Sequence, residues 1–215
     1  MKRRISFSRI LTLMLMLFLL MFGVTEYTIW SIAKPTYVRT NEQIGELQHE
    51  LTAANKTIDS LQYRKEQQLE ELQPLAVVKT KGYSRDVGLT IIKESKKYGL
   101  RPSFVMGLID AESDWDNLPP NEANATGLMQ VTKGTAVGIA RALGFSSYDL
   151  NDPITNIKFG TYCIGNLIRN YGDVHTALTA YNMGDGGMQE YVASYGTSRS
   201  GYSRTVLKYQ TRYEK

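Results

Sequence analysis

One cysteine and two histidines in 215 residues remove several chemistries at the outset. Cys163 cannot form an intramolecular disulfide, and its apolar surroundings from Tyr162 to Ile168 predict a small core residue. His49 and His175 stand far apart without companion ligands, so no metal-binding spacing exists, both read as surface residues, and no metal or cofactor is expected. No cysteine lies directly after the hydrophobic N-terminal run, so a lipoprotein anchor is not expected. Acidic residues are missing from positions 1–9, where Lys2, Arg3, Arg4 and Arg9 account for the whole formal charge of +4; the rest holds 21 bases and 21 acids. The excess is therefore a membrane-topology signal and not a nucleic-acid footprint. From Lys79 onward the balance is 16 bases to 13 acids, too mild to specify an anionic partner.

Residues 10–24 form a nearly unbroken apolar run behind the basic start. A spanning helix needs about 20 residues, and extension through Tyr27 and Trp30 to Ala33 supplies them at the cost of one charge, Glu26. Residues 1–33 are therefore expected to be a membrane anchor. The alternative is a signal segment cut after Ser31-Ile32-Ala33. Either way the basic end predicts that everything beyond Ala33 is exported. Proline is absent from 41–73, and Ile44, Leu47, Leu51, Ala54, Ile58 and Leu61 alternate at steps of three and four, the seam of a heptad repeat. Residues 38–73 are expected to be a coiled-coil-like stalk that ends before Pro74. It could self-associate, pack on a partner or on the adjoining domain, or serve as a solvated spacer. Residues 74–82 read as a linker.

The remainder, 83–215, carries helix punctuation, no convincing alternating strand pattern and no internal repeat. Helices are expected over 84–98, ending at Gly99; 103–112, capped by Ser103; and 132–143, ending at Gly144. Asp152-Pro153 opens another helix reaching 170 or 171, Asp173 caps one through Tyr181, and two weaker segments around Gln189 and Tyr202 close the chain. The expected fold is an all-α, multi-helix domain around a cleft, preceded by a membrane helix and a long coiled-coil-like helix.

Glu112-Ser113 closes the apolar run that begins at Phe104. A carboxylate at the exit of a hydrophobic helix is where desolvation raises the pKa and keeps a proton available near neutrality, as a general acid requires. Fifteen residues after Glu112 comes Gly127-Leu128-Met129-Gln130: a glycine for close backbone approach, an adaptable apolar side chain, and an amide that both donates and accepts. Tyr181-Asn182 adds a phenol and an amide at a helix end, followed by Gly184, Gly186 and Gly187. Each motif alone has a plain structural reading, a solvated charge or core packing.

Together, Glu-Ser, Gly-Leu-Met-Gln and Ala-Tyr-Asn, in this order over roughly 84–211, resemble the catalytic domain of soluble lytic transglycosylases, the family 23 glycoside hydrolases of the lysozyme-like superfamily that cut peptidoglycan. The resemblance implies a lysozyme-like fold with Glu112 as the single acid and base. It also implies a substrate-binding set of Ser113, Asn121, Met129, Gln130, Tyr181 and Asn182, with Asn156-Ile157, Gly160 and Tyr162 as a structural helix motif. The implied partners are peptidoglycan glycan strands, the membrane, and a second chain through 41–73, with the catalytic domain outside the cytoplasm. The sequence departs from the family pattern at Asn121 and Asn124, where the family often has Ser and Gly, and at Val131-Thr132-Lys133 and Met183. Candidate second carboxylates, Asp110, Asp114, Asp116, Glu122 and Asp185, match no position the family uses, and each reads as a surface charge. A lone acid suits intramolecular closure to a 1,6-anhydromuramyl end; the alternatives are a hydrolytic muramidase of the goose-type lysozyme kind and a non-catalytic glycan-binding scaffold.

Overall fold

The computed structural model describes residues 7–214, without the side chains of Phe7, Arg9, Glu70 and Glu71. Lys2, Arg3, Arg4 and the Arg9 side chain, on which the topology expectation rests, lie outside the described residues. The chain divides into two units, Met1–Tyr63 and Arg64–Lys215.

The described part of the first unit, from Phe7 onward, is a single run of helix, part of α1 (Phe7–Thr80). Every described side chain in it is exposed, including the apolar run 10–24 and the heptad positions Ile44, Leu47, Leu51, Ile58 and Leu61. Its helicity is thus local in origin, and its described apolar residues are exposed.

The second unit begins inside α1 and continues with α2 (Arg85–Lys97), α3 (Pro102–Ser113), β1 (Ala125–Thr126), β2 (Val131–Thr132), α4 (Lys133–Leu143), α5 (Pro153–Tyr171), α6 (Val174–Tyr195), α7 (Gly201–Gln210) and a terminal 3-10 turn, Thr211–Tyr213. The stalk helix does not stop before Pro74, and 74–80 is not a linker: α1 runs to Thr80, and Val78, 1% exposed, belongs to the core. Proline costs a helix one hydrogen bond, and burial of the following turn offsets that loss.

Most helix boundaries follow local chemistry. Asp152 accepts from the backbone N–H groups of Ile154 and Thr155 with Pro153 at the first helical position. Thr132 caps α4, Asp173 caps α6, and Gly99, Gly144 and Gly172 sit past helix ends with positive φ. Ser103 does not cap α3: Pro102 opens that helix from Arg101, and Ser103 lies buried within it. The helix expected to end at Tyr181 continues to Tyr195 across one non-helical residue, Gly184. A minimal antiparallel ladder, Ala125 opposite Thr132 and Thr126 opposite Val131, is the one sheet among the described residues.

Phe159 on α5 is fully buried and stacked edge-on by Phe145 and tilted against Tyr148, each at 5.2 Å. Around it gather Ile91, Leu108, Ile109, Leu128, Ile157, Ile164 and Leu178 in one core. The side of α3 that carries Leu108 and Ile109 therefore has no freedom to rotate, which fixes where its last turn points.

Candidate active site

Glu112 sits in the last turn of α3. Burial pushes its carboxyl up from the usual carboxylate range to about 7, opposed by a hydrogen bond from Tyr202 that favours the charged form. Tyr202, in the first turn of α7, donates its phenolic O–H to Glu112 Oε1 in a short contact. Burial, then the charge of Glu112, raises Tyr202 itself, so its hydroxyl stays protonated and remains a donor. With Oε1 engaged, Oε2 is the oxygen left to carry a transferable proton.

The Gly127–Gln130 segment is fastened from several sides. Ser113 Oγ donates to the Leu128 carbonyl at 2.9 Å and to the Ile109 carbonyl at 3.2 Å. Asn156, fully buried on α5, donates Nδ2 to the carbonyls of Thr126 (2.7 Å) and Leu150 (2.9 Å), while its Oδ1 accepts from Met129 N–H at 2.8 Å. Gly127 has φ +78, and a Cβ there would fall 2.3 Å from Asn156 Nδ2, so no larger residue fits beneath this clamp. Tyr181 O–H reaches from α6 to the Met129 carbonyl at 2.8 Å. Burial, then the charge of Glu112, raises Tyr181 well above its ordinary value, so this donor too stays neutral beside the acid.

The structure separates the expected site residues into two kinds. Tyr181 lies near enough to Glu112 to feel its charge, while Gln130 and Asn121 are joined to the loop and to each other: Gln130 Nε2 donates to the Gly127 carbonyl, and Asn121 Nδ2 donates to Gln130 Oε1 at 3.3 Å. Asn121 Oδ1 accepts from Ala123 and Ala125 N–H, so half of that amide organises the loop. Asn182 is exposed, one residue beyond Tyr181. Met129 and Ser113, by contrast, do not line the surface. The Met129 side chain is 0% exposed and wedged against Gly160, where a Cβ would lie 2.6 Å from its sulfur; only its backbone serves the site. Ser113 is buried and ties α3 to the loop. A small cavity of about 40 Å³ is lined by Gln130, Val131, Thr132, Thr135, Cys163 and Tyr181. Burial, aided by Asp185, pushes the Cys163 thiol up to about 11, which leaves it unreactive at neutral pH.

The remaining acids lie elsewhere. Asp114 is exposed beside Lys81, Asp185 accepts from Tyr171 O–H at 2.8 Å, and Asp116 and Glu122 are exposed. Asp110 is not the surface charge expected: it is 7% exposed and paired with Arg212. Nor is His175 a free surface residue, since its Nδ1 lies 3.0 Å from Ser203 Oγ, half-buried. Among the described residues no three His, Cys, Asp or Glu side chains cluster as a metal site requires. The residue missed from sequence is Tyr202. It is one of 14 tyrosines in the chain and lies in a weakly patterned segment where no local signal distinguishes it.

The pattern of the transglycosylase SLT domain matches residues 89–201, which encloses Glu112, the Gly127–Gln130 segment and Tyr181. A transglycosylase of Enterobacteria phage PRD1 is 34% identical over 119 residues, covering 55% of this chain and 41% of the phage protein. The membrane-bound lytic murein transglycosylase C of Actinobacillus pleuropneumoniae (strain L20) is 33% identical, covering 44% of this chain and 29% of that protein. The chain thus spans less than half the length of the curated relatives it matches. In three dimensions the lytic transglycosylase Slt of Pseudomonas aeruginosa superposes with a TM-score of 0.52 at 24% identity, over 58% of this chain and 23% of that one. The 70 kDa soluble lytic transglycosylase of Escherichia coli gives 0.51 at 24%, over 61% and 24%. The helical domain therefore has the lysozyme-like fold of these enzymes, and the chain belongs to the transglycosylase SLT domain family.

Proposed function

We propose that this chain is a peptidoglycan lytic transglycosylase, tethered to a membrane by its first helix, that cleaves the β-1,4 bond between N-acetylmuramic acid and N-acetylglucosamine and leaves a 1,6-anhydromuramyl end. The observation that carries the reading is Glu112: a desolvated carboxyl poised near pH 7, held by one tyrosine hydroxyl and not perturbed by a neighbouring acid.

Protonated Glu112 gives its proton to the glycosidic oxygen as the bond to the muramyl anomeric carbon breaks. The substrate's N-acetyl carbonyl, steadied by the Asn182 amide, supports the cationic carbon. Glu112, now a carboxylate, takes the proton of the muramyl 6-hydroxyl, whose oxygen closes the ring. Most glycosidases place a second carboxylate roughly 5–10 Å from the first; the candidates on this chain are committed to Arg212, Lys81 and Tyr171 or lie exposed. That shortage favours the 6-hydroxyl over water. Gln130 and Asn121 supply amides for the glycan, and Tyr181 keeps their loop in place.

Glu112→Gln is expected to reduce solubilisation of purified peptidoglycan by a factor of ~10³ or more; near-normal turnover would remove Glu112 from its role. Mass spectra of the products separate the two reactions, because the anhydro end is lighter by one water than the end a muramidase leaves. Binding without release of fragments would point instead to a glycan-holding scaffold.

The tether rests on the exposed apolar run in α1, a helix long and apolar enough to cross a membrane, and on the resemblance to a membrane-bound relative. The heptad positions between 41 and 73 are suited to pairing with a second copy. Fractionation of cells into membrane and soluble pools tests the first point, and cross-linking of the full chain tests the second.

A further inference from the structure

The exit of α3 is strained, and residues that follow α7 help to hold it. Two consecutive residues after Ser113, Asp114 and Trp115, have positive φ, 50° and 68°. Aspartate tolerates that region; a bulky indole is an outlier there and persists only where the surroundings over-determine it.

The surroundings supply that determination. The Trp115 side chain is 2% exposed, its Nε1–H donates to Tyr213 Oη at 3.2 Å, and its carbonyl accepts from Tyr83 O–H at 2.6 Å. Asp110, two residues before Glu112 and so on the opposite face of α3, receives Arg212 Nη1–H at 3.2 Å. Arg212 is itself pre-arranged by stacking over Tyr209 at 3.8 Å. The Tyr213 phenol lies between Trp115 and the Asp110 carboxylate; burial, opposed by the Trp115 hydrogen bond and aided by the Asp110 charge, pushes it up to about 12.

The same segment grips the other end of the helix. Arg101, the residue before α3, pairs with Glu214 at 2.8 Å, and Gln210 Nε2 holds the same carboxylate at 2.6 Å. Between them α7 lies directly on α3: a Cβ on Gly107 would fall 2.6 Å from the Gln210 nitrogen and 3.0 Å from the Val206 carbonyl oxygen. Thus α7 and the residues after it run along the back of α3 and also carry Tyr202, the hydrogen-bond partner of Glu112.

We propose that Asp110, Arg212, Tyr213 and Trp115 form a positioning clamp for the acid: by locking the strained exit of α3 they hold Glu112 in its desolvated place against Tyr202. The titratable groups that face Glu112 are Tyr202 of α7 and Tyr181 of α6, both neutral, so the environment of the carboxyl is set by how closely α3 is held. This inference rests on Glu112 being the catalytic acid, but its primary readout does not.

The test uses the full chain in detergent micelles with 13C-labelled glutamate carboxyls, the Glu112 signal being assigned by its loss in Glu112→Gln. The double variant Asp110→Asn with Arg212→Ala removes both charges together and leaves no unpaired ion. Its Glu112 midpoint is expected to fall by about one pH unit as water reaches the carboxyl. On purified peptidoglycan the alkaline limb of the kcat profile moves with it, a loss of roughly fivefold at pH 7, with KM little changed. Arg212→Lys, which keeps the ion pair, stays close to wild type. Tyr213→Phe, a smaller change that retains the packing, shifts the midpoint in the same direction. Unchanged Glu112 titration in both the double variant and Tyr213→Phe, with only a lower thermal midpoint, would overturn the clamp. Normal cleavage by Glu112→Gln would overturn the catalytic reading separately, with the titration still reporting on the clamp.

Discussion

Two apolar stretches of helix, residues 10–24 and 104–109, have similar composition and opposite surroundings. In the first every described side chain is exposed; in the second Phe104 to Ile109 are all buried. Both are helical, so helix formation does not separate them. What separates them is burial: 104–109 lies against α7 and the core, whereas the described side chains of 10–24 are exposed. The exposed stretch keeps the hydrophobic cost of contact with water that 104–109 avoids by burial.

Leu108→Ala tests the comparison most severely. It should lower the unfolding free energy of the helical domain by about 2–5 kcal/mol, read by denaturant titration of the full chain in detergent with near-UV circular dichroism. Leu15→Ala should leave that transition where it is, and an equal effect at both positions would break the contrast. Asn156→Ala comes next, at roughly 2–4 kcal/mol, because Met129 N–H and the Thr126 and Leu150 carbonyls lose their shared partner; activity should fall with it.

Glu112→Gln sharpens the picture through pH. The folded-state pKa of Glu112 is raised, so the native state holds the proton more tightly than the unfolded chain. Its contribution is fully present below the ordinary carboxylate range and is lost as pH rises through about 7. Relative to wild type, Glu112→Gln should gain stability between pH 5 and pH 9, by about 2 kcal/mol after allowance for partial exposure. A difference that is flat with pH would mean that the carboxyl is not desolvated. The smallest effect belongs to Tyr181→Phe, which removes one hydrogen bond to the Met129 carbonyl and should cost about 1 kcal/mol, with the thermal midpoint as readout.

Much of the fold was legible because its punctuation is local. Asp152-Pro153, Thr132, Asp173 and the glycines past helix ends act through hydrogen bonds and φ preferences within four residues, and the structure has those boundaries. The end of α1 was not legible, because Pro74 is a local stop signal overridden by the burial of Val78 against residues distant in sequence. The inward placement of Met129 and Ser113 was not legible either: Met129 packs against Gly160 and Ser113 bonds the Leu128 carbonyl, partners distant in sequence that only the fold supplies.

The sequence by itself determined that the chain is helical, that an apolar N-terminal stretch precedes a helical domain, and that Glu112 ends an apolar helix in the company of a Gly-Leu-Met-Gln segment and a Tyr-Asn pair. These depend on periodicity, capping and residue order, which act over short distances. Only the tertiary structure decided that Tyr202, 90 residues away, holds the Glu112 carboxyl, and that Asp110 is buried against Arg212. Those pairings depend on α7 packing along α3 through the gap left by Gly107, a long-range contact that no local pattern encodes.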